Sequence, residues 1–195
     1  MNQPDFRSNL NAAQQWASEL VGNVRPEQLS DPTPCSEFTV AQLIEHLLAV
    51  QERITSMASS GTIGDVPSQI ALTTDSPGED FDRRARAGAD AWDAWSADDL
   101  WSRTVTAPFG TVPGGAAVMM YASENLAHGW DLAVATGQPS EADPQVVAPI
   151  LAGMKRALPA EPRGAEVGIP FAPVVESAPD AGPTEQLANW AGRSR

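Results

Sequence analysis

Apolar residues Phe6, Leu10, Ala13, Ala17, Leu20 and Val24 recur in alternating steps of four and three, which lays them along one stripe of an α-helix. The pattern predicts a first helix ending near Arg25-Pro26. A proline-rich loop, RPEQLSDPTPCSEF, leads to a second helix with a well-marked start. Thr39 is a good N-cap, Gln42 completes a capping box, and Phe38 before the cap is placed to pack on Leu43. The inward stripe of this helix reads Leu43, His46, Leu47, Val50 and Ile54, so an imidazole projects from the middle of an apolar face.

The segment MASSGTIGDVPSQIALTTDSPGED is long, small and polar, a candidate rim for a site. A third helix is predicted after it, with Ser76, Pro77 and Glu79 at the N-cap, first and third positions and Phe81, Ala85, Gly88, Trp92 and Trp95 on one face. The stretch LWSRTVTAPFGTVPGG alternates weakly between turn residues and reads as a short hairpin or an extended crossover. A fourth helix is expected from about Ala116 to Ala135, stopped by Gly137. A fifth pattern starts at Asp143-Pro144 and carries Val147, Ile150, Leu151, Met154 and Leu158, with Pro149 expected to kink or restart it. From Pro159 to Pro183 the chain is rich in Pro, Gly and Ala and reads as an extended strap, closed by a short helix around Gln186, Leu187 and Trp190. The expectation is an all-α fold: a four-helix bundle with a long crossover, spanning residues 1–158, on which residues 159–195 pack as strap and helix.

Composition narrows the function. Twelve Lys and Arg stand against 25 Asp and Glu in 195 residues, a net charge of −13, which disfavours nucleic acid and anionic membrane surfaces. No stretch approaches a membrane span, and the N-terminus has no secretion-type pattern, so a cytoplasmic protein is expected. Cys35 is the single cysteine, which excludes an internal disulfide and multi-cysteine metal sites.

The chain has two histidines, and both fall on inward stripes. His128 follows Glu124 by four residues, so the two side chains lie one turn apart on the same helix face. Buried polar groups cost roughly 1–3 kcal/mol each when unpaired. One metal ion shared by His46, Glu124 and His128 would satisfy all three and leave a coordination position open; ordinary hydrogen bonds in the core are the alternative. For such a nitrogen and oxygen set zinc is the expected metal, with nickel, iron or cobalt as alternatives, iron(II) bringing oxygen chemistry within reach.

The segments TPCSEFTVAQLIEHLLAV and FGTVPGGAAVMMYASENLAHGWDLAVATGQ, with the closing TEQLANWAGR, resemble DinB-like metal-binding bundles. The resemblance is to the actinobacterial branch related to the N-terminal domain of mycothiol-dependent maleylpyruvate isomerase. It implies His46, Glu124 and His128 as the ligand set, mycothiol as a thiol cosubstrate and, by analogy alone, a homodimer. The function it implies is a thiol-dependent transferase or isomerase acting on a small electrophile, with a non-catalytic metal- or ligand-binding protein as the alternative. The isomerase carries a larger C-terminal domain than the strap here, so maleylpyruvate is not carried over as the substrate.

Further residues are weaker candidates. Asp131, one turn beyond His128, is placed to accept an imidazole N–H, or equally to serve as a plain surface carboxylate or as a partner of Trp130 or a backbone group. Tyr121 shares the Glu124 face as a proton donor or a structural ring. Arg84, with Arg83 and Arg86, is the dense basic cluster available for an anionic substrate, although a solvated helix face explains it more simply. Cys35 reads as packing, and Trp92, Trp95, Trp101 and Trp130 as core or dimer contacts.

Overall fold

A computed structural model describes residues 3–74, 76–107, 110–169 and 171–195. Helices α1 (Arg7–Gly22), α2 (Val40–Ser60) and α3 (Pro77–Asp93) precede a one-turn helix α4 (Asp99–Ser102). A hairpin of β1 (Thr104–Ala107) and β2 (Gly110–Pro113) follows, then α5 (Gly114–Thr136), α6 (Pro144–Ala157) and α7 (Pro183–Trp190). The principal helix is α5. It packs against α1 and α2, while α3 packs against the same two helices from the other side, so α1 and α2 lie diagonally across a four-helix bundle.

The start of α2 follows the sequence logic. The Thr39 hydroxyl accepts from the Gln42 amide and the Gln42 side chain returns to the Thr39 amide, a complete capping box. Phe38 packs against the apolar cluster that includes Leu43, and its ring also stacks on His46, with centroids 5.1 Å apart. Ser76 precedes Pro77 as expected but makes no side-chain cap bond. The strands pair antiparallel with Val105 opposite Val112, while Pro108 and Phe109 lie outside the described residues. Pro149 does not break α6, because it and Gln145, whose carbonyl loses its partner, both face solvent. The strap runs back over the bundle, and α7 packs on α5 and α6.

The core divides into two apolar clusters, one including Leu10, Val50, Ile54, Trp92 and Leu126, the other Leu20, Leu43, Leu47, Phe81 and Leu132. A buried polar chain runs between them. Gln14 donates to Gln51 at 2.7 Å, Gln51 donates to Asn125 at 3.0 Å, and Asn125 donates to the Tyr121 carbonyl at 2.8 Å. The chain ties α1, α2 and α5 together at one level, so sliding any one helix would strand an amide in the core. Gly129 contributes on the α1 side, since a Cβ there would lie 2.3 Å from the Trp16 ring.

Replacing the central amide tests this registry. Gln51→Leu leaves the Gln14 side-chain amide without its acceptor and the Asn125 side-chain oxygen without its donor, and urea unfolding should show a loss of about 2–4 kcal/mol. A loss below about 1 kcal/mol would show that the amide chain does not set the register.

Candidate metal centre

Helix α2 presents His46, and α5, its neighbour, presents Glu124 and His128. One ligand atom from each residue lies within 4.8 Å of the others. His46 Nε2 is 3.2 Å from Glu124 Oε1, His128 Nε2 is 3.6 Å from the same oxygen, and the two imidazole rings stand edge to face at 5.0 Å. The imidazoles are buried, whereas the Glu124 side chain is 38% exposed. The cluster therefore opens to solvent at the carboxylate.

The far side of each ring is also engaged. His46 Nδ1 is 3.1 Å from the Ser68 carbonyl, and a carbonyl can only accept, so this nitrogen carries the proton. His128 Nδ1 donates in the same way to Asp131 Oδ2 at 3.0 Å. In the neutral rings both Nε2 lone pairs then point at a carboxylate, and three acceptors meet with no donor between them. Either an added proton or a cation resolves that conflict. Imidazoles held at Nδ1 by a carbonyl or a carboxylate are the usual surroundings of a metal-binding histidine.

Without metal, the proton takes the role. Burial pulls His128 down, but the Asp131 and Glu124 carboxylates outweigh it and hold the imidazole at about 9, so it is charged at neutral pH. Glu124 is pushed up by burial, yet hydrogen bonds and charge from His128 and His46 keep it well below the usual carboxylate range. Tyr121, largely buried on the same face, is raised by burial first and by Glu124 second, so it remains a phenol.

A second group, Cys35, His128 and Asp131, is equally compact. It suits a cation less well. Burial pushes the Cys35 thiol up, Asp131 Oδ2 already accepts from His128 Nδ1, and the Arg193 guanidinium sits 3.3 Å from that carboxylate.

A cavity of about 560 Å³ lies over the first cluster, with Phe38, Met154 and Phe171 as apolar walls and Arg53, Tyr121 and Arg193 as polar ones. Arg84, a weaker candidate for binding an anion, is not among its lining residues; it is held by Asp80 and Glu52, while Arg86 pairs with Asp82. Asp131 is fully buried and does not lie on the surface. Three contributors escape a reading of the sequence: the Ser68 carbonyl, Arg53 and Arg193. The length of the segment after α2 hints at the first, and Gly192 after α7, which that reading does not use, is the one signal that could have found the third.

A four-helix bundle with a His/Glu/His cluster facing across two neighbouring helices defines a DinB-like bundle. The family profile described as the mycothiol maleylpyruvate isomerase N-terminal domain matches residues 10–133. The chain belongs to this family. Two uncharacterized proteins from two strains of Mycobacterium tuberculosis are each 34% identical to it over 182 residues, covering 93% of this chain and 94% of theirs. The fold also matches the crystal structure of a mutant of mycothiol-dependent maleylpyruvate isomerase. That TM-score is 0.55 at 19% identity, covering 76% of this chain and 68% of the other. Among the described residues no helix is long and apolar enough to cross a membrane.

The charged His128 makes the chelated protein pH-sensitive. Its folded pKa, about 9, lies above the ordinary 6.5, so its stabilisation is full below pH 6.5 and is lost as pH rises through 9. Thermal unfolding of chelated protein between pH 6.5 and 9.5 should show a loss on the order of 3 kcal/mol. His128→Gln should abolish this decline, and an equal decline in the variant would contradict the assignment.

Proposed function

We propose that this chain binds one divalent metal ion through His46, Glu124 and His128 and uses it to activate a low-molecular-weight thiol against a small electrophile. The observation that carries the reading is the convergence of two Nε2 lone pairs on one partly exposed carboxylate, with both Nδ1 atoms already committed. Zinc is the preferred occupant, with nickel, iron and cobalt as alternatives. When bound, the ion supplies positive charge that brings a thiol of ordinary pKa, about 8.5, into its ionised form at neutral pH. Membership of a mycothiol-dependent family makes mycothiol the proposed thiol, and a cytoplasmic location follows from that choice.

The chain's own groups handle the rest. Ser68 and Asp131 fix the two rings, Glu124 keeps its negative charge, and Phe38, stacked on His46, gives the cavity an apolar wall. Tyr121 stays protonated and lines the same cavity, so it can donate a proton to the carbon next to the one attacked. Addition followed by that protonation gives an S-conjugate. Addition to a cis double bond, rotation and expulsion of the thiol gives isomerisation. Arg83, Arg84 and Arg86 are each engaged by carboxylates, in keeping with a solvated helix face and not with a site for a dicarboxylate such as maleylpyruvate.

Elemental analysis tests the ligand set. Wild-type protein should carry about one metal per chain, and His46→Ala and Glu124→Ala less than about a tenth of that. Adding mycothiol to cobalt-substituted protein should shift the visible bands and permit consumption of at least one electrophile from a panel. A stoichiometric metal with neither response would identify a binding protein without this chemistry, and no metal at all would refute the reading.

A further inference from the structure

The fully buried Asp131 carboxylate holds His128, and something must hold Asp131 in turn. Its Oδ2 receives two donors: His128 Nδ1 at 3.0 Å and Arg193 Nε at 3.3 Å, while Oδ1 has no partner among the described residues. Arg193 arrives from the end of the chain, beyond the residues 10–133 that the family profile matches. We propose that Arg193 is a positioning residue of the metal centre, which fixes the Asp131 carboxylate and through it the His128 ring that must present Nε2 to the ion. This rests on the metal-binding reading of the site given above.

The sequence NWAGR explains how the guanidinium gets there. Helix α7 ends in a Schellman motif: the Arg193 amide donates to the Ala188 carbonyl at 2.9 Å and the Gly192 amide to the Asn189 carbonyl at 3.0 Å. Gly192 adopts φ +86°, a left-handed conformation that side-chain-bearing residues rarely take, and a Cβ there would lie 2.6 Å from Ala172. The Asn189 amide also donates to the Arg193 carbonyl at 2.9 Å. The chain thus reverses at Gly192 and sends the Arg193 side chain back toward α5. A further bond from Arg193 Nη1 to the Ala191 carbonyl, at 3.1 Å, fixes the plane of the guanidinium.

Two consequences follow from this wiring. The backbone of Arg193 is held by bonds that do not involve its guanidinium, so the side chain can be changed without freeing the turn. With the guanidinium gone, Asp131 keeps His128 as its single partner and is free to rotate, and the imidazole loses the fixed acceptor that keeps its proton on Nδ1. A ring protonated on Nε2 cannot ligate there.

The test measures metal affinity by competition with a chromophoric chelator, the visible spectrum of cobalt-loaded protein, and thermal unfolding of chelated protein. Arg193→Gln should weaken binding about 10–100-fold and shift the cobalt bands. Arg193→Lys should lose less, because an ammonium restores the charge without the planar fork. In an Asp131→Asn background, adding Arg193→Gln should change affinity less than about twofold, since both residues act along one path. Chelated-protein unfolding separates this from general damage: a merely structural Arg193 would lower the melting temperature and leave the cobalt spectrum of the folded fraction unchanged. Wild-type affinity and spectrum in Arg193→Gln, or an undiminished loss in the Asp131→Asn background, would overturn the inference. If Asp131→Asn does not fold, the cobalt spectra of the two Arg193 variants decide. Wild-type protein that takes up no metal would instead refute the metal reading, and this inference with it.

Discussion

Two imidazoles are each held at Nδ1 by an acceptor that cannot give a proton back, which leaves their Nε2 lone pairs facing one carboxylate. Such an arrangement is unstable in isolation. A shared proton relieves it in chelated protein, and a divalent cation relieves it more fully, because one ion satisfies all three acceptors together. The mixture of burial and access around the cluster follows the same division of labour. The rings are enclosed and fixed, while the carboxylate side stays open to an incoming group.

Delivering these groups to one point is a problem of helix register. His46 and the Glu124/His128 pair come from neighbouring helices of the bundle, and a slide of one turn, about 5.4 Å, would separate them beyond the reach of any ion. The amide chain of Gln14, Gln51 and Asn125 resists that slide because it lies fully inside the core, with Gln51 and Asn125 on the same helices as the candidate ligands. The apolar clusters on either side supply most of the burial, yet apolar contacts tolerate small displacements better than hydrogen bonds do. The C-terminal turn adds a second constraint from outside the bundle, through the guanidinium that meets Asp131.

Much of this was legible in the sequence because it depends on local rules. The α2 capping box, the left-handed Gly137 after α5 and the period of the apolar stripes each follow from a few neighbouring residues. The i,i+4 spacing of Glu124 and His128 likewise guarantees a shared face, the place of both histidines on inward stripes suggests the pairing with His46, and the resemblance to a known family implies the same set. What could not be read depends on long-range placement. The Ser68 carbonyl is a backbone group with no side-chain signature, and Arg193 meets an aspartate 62 positions earlier. Pro149 was expected to interrupt α6, but the bond it forfeits faces water and costs less than a pattern of buried positions would suggest. Arg84 is one of three neighbouring cations whose spacing does not say which carboxylates hold it; Asp80 is one turn away on its own helix, but Glu52 comes from α2.

Anomalous diffraction at the metal's absorption edge, from crystals of protein purified without chelator, tests the arrangement most directly. The account predicts a single peak bonded to His46 Nε2, a Glu124 oxygen and His128 Nε2, with both Nδ1 contacts intact. A peak among Cys35, His128 and Asp131, or well-ordered crystals with no peak beside His46, would contradict it.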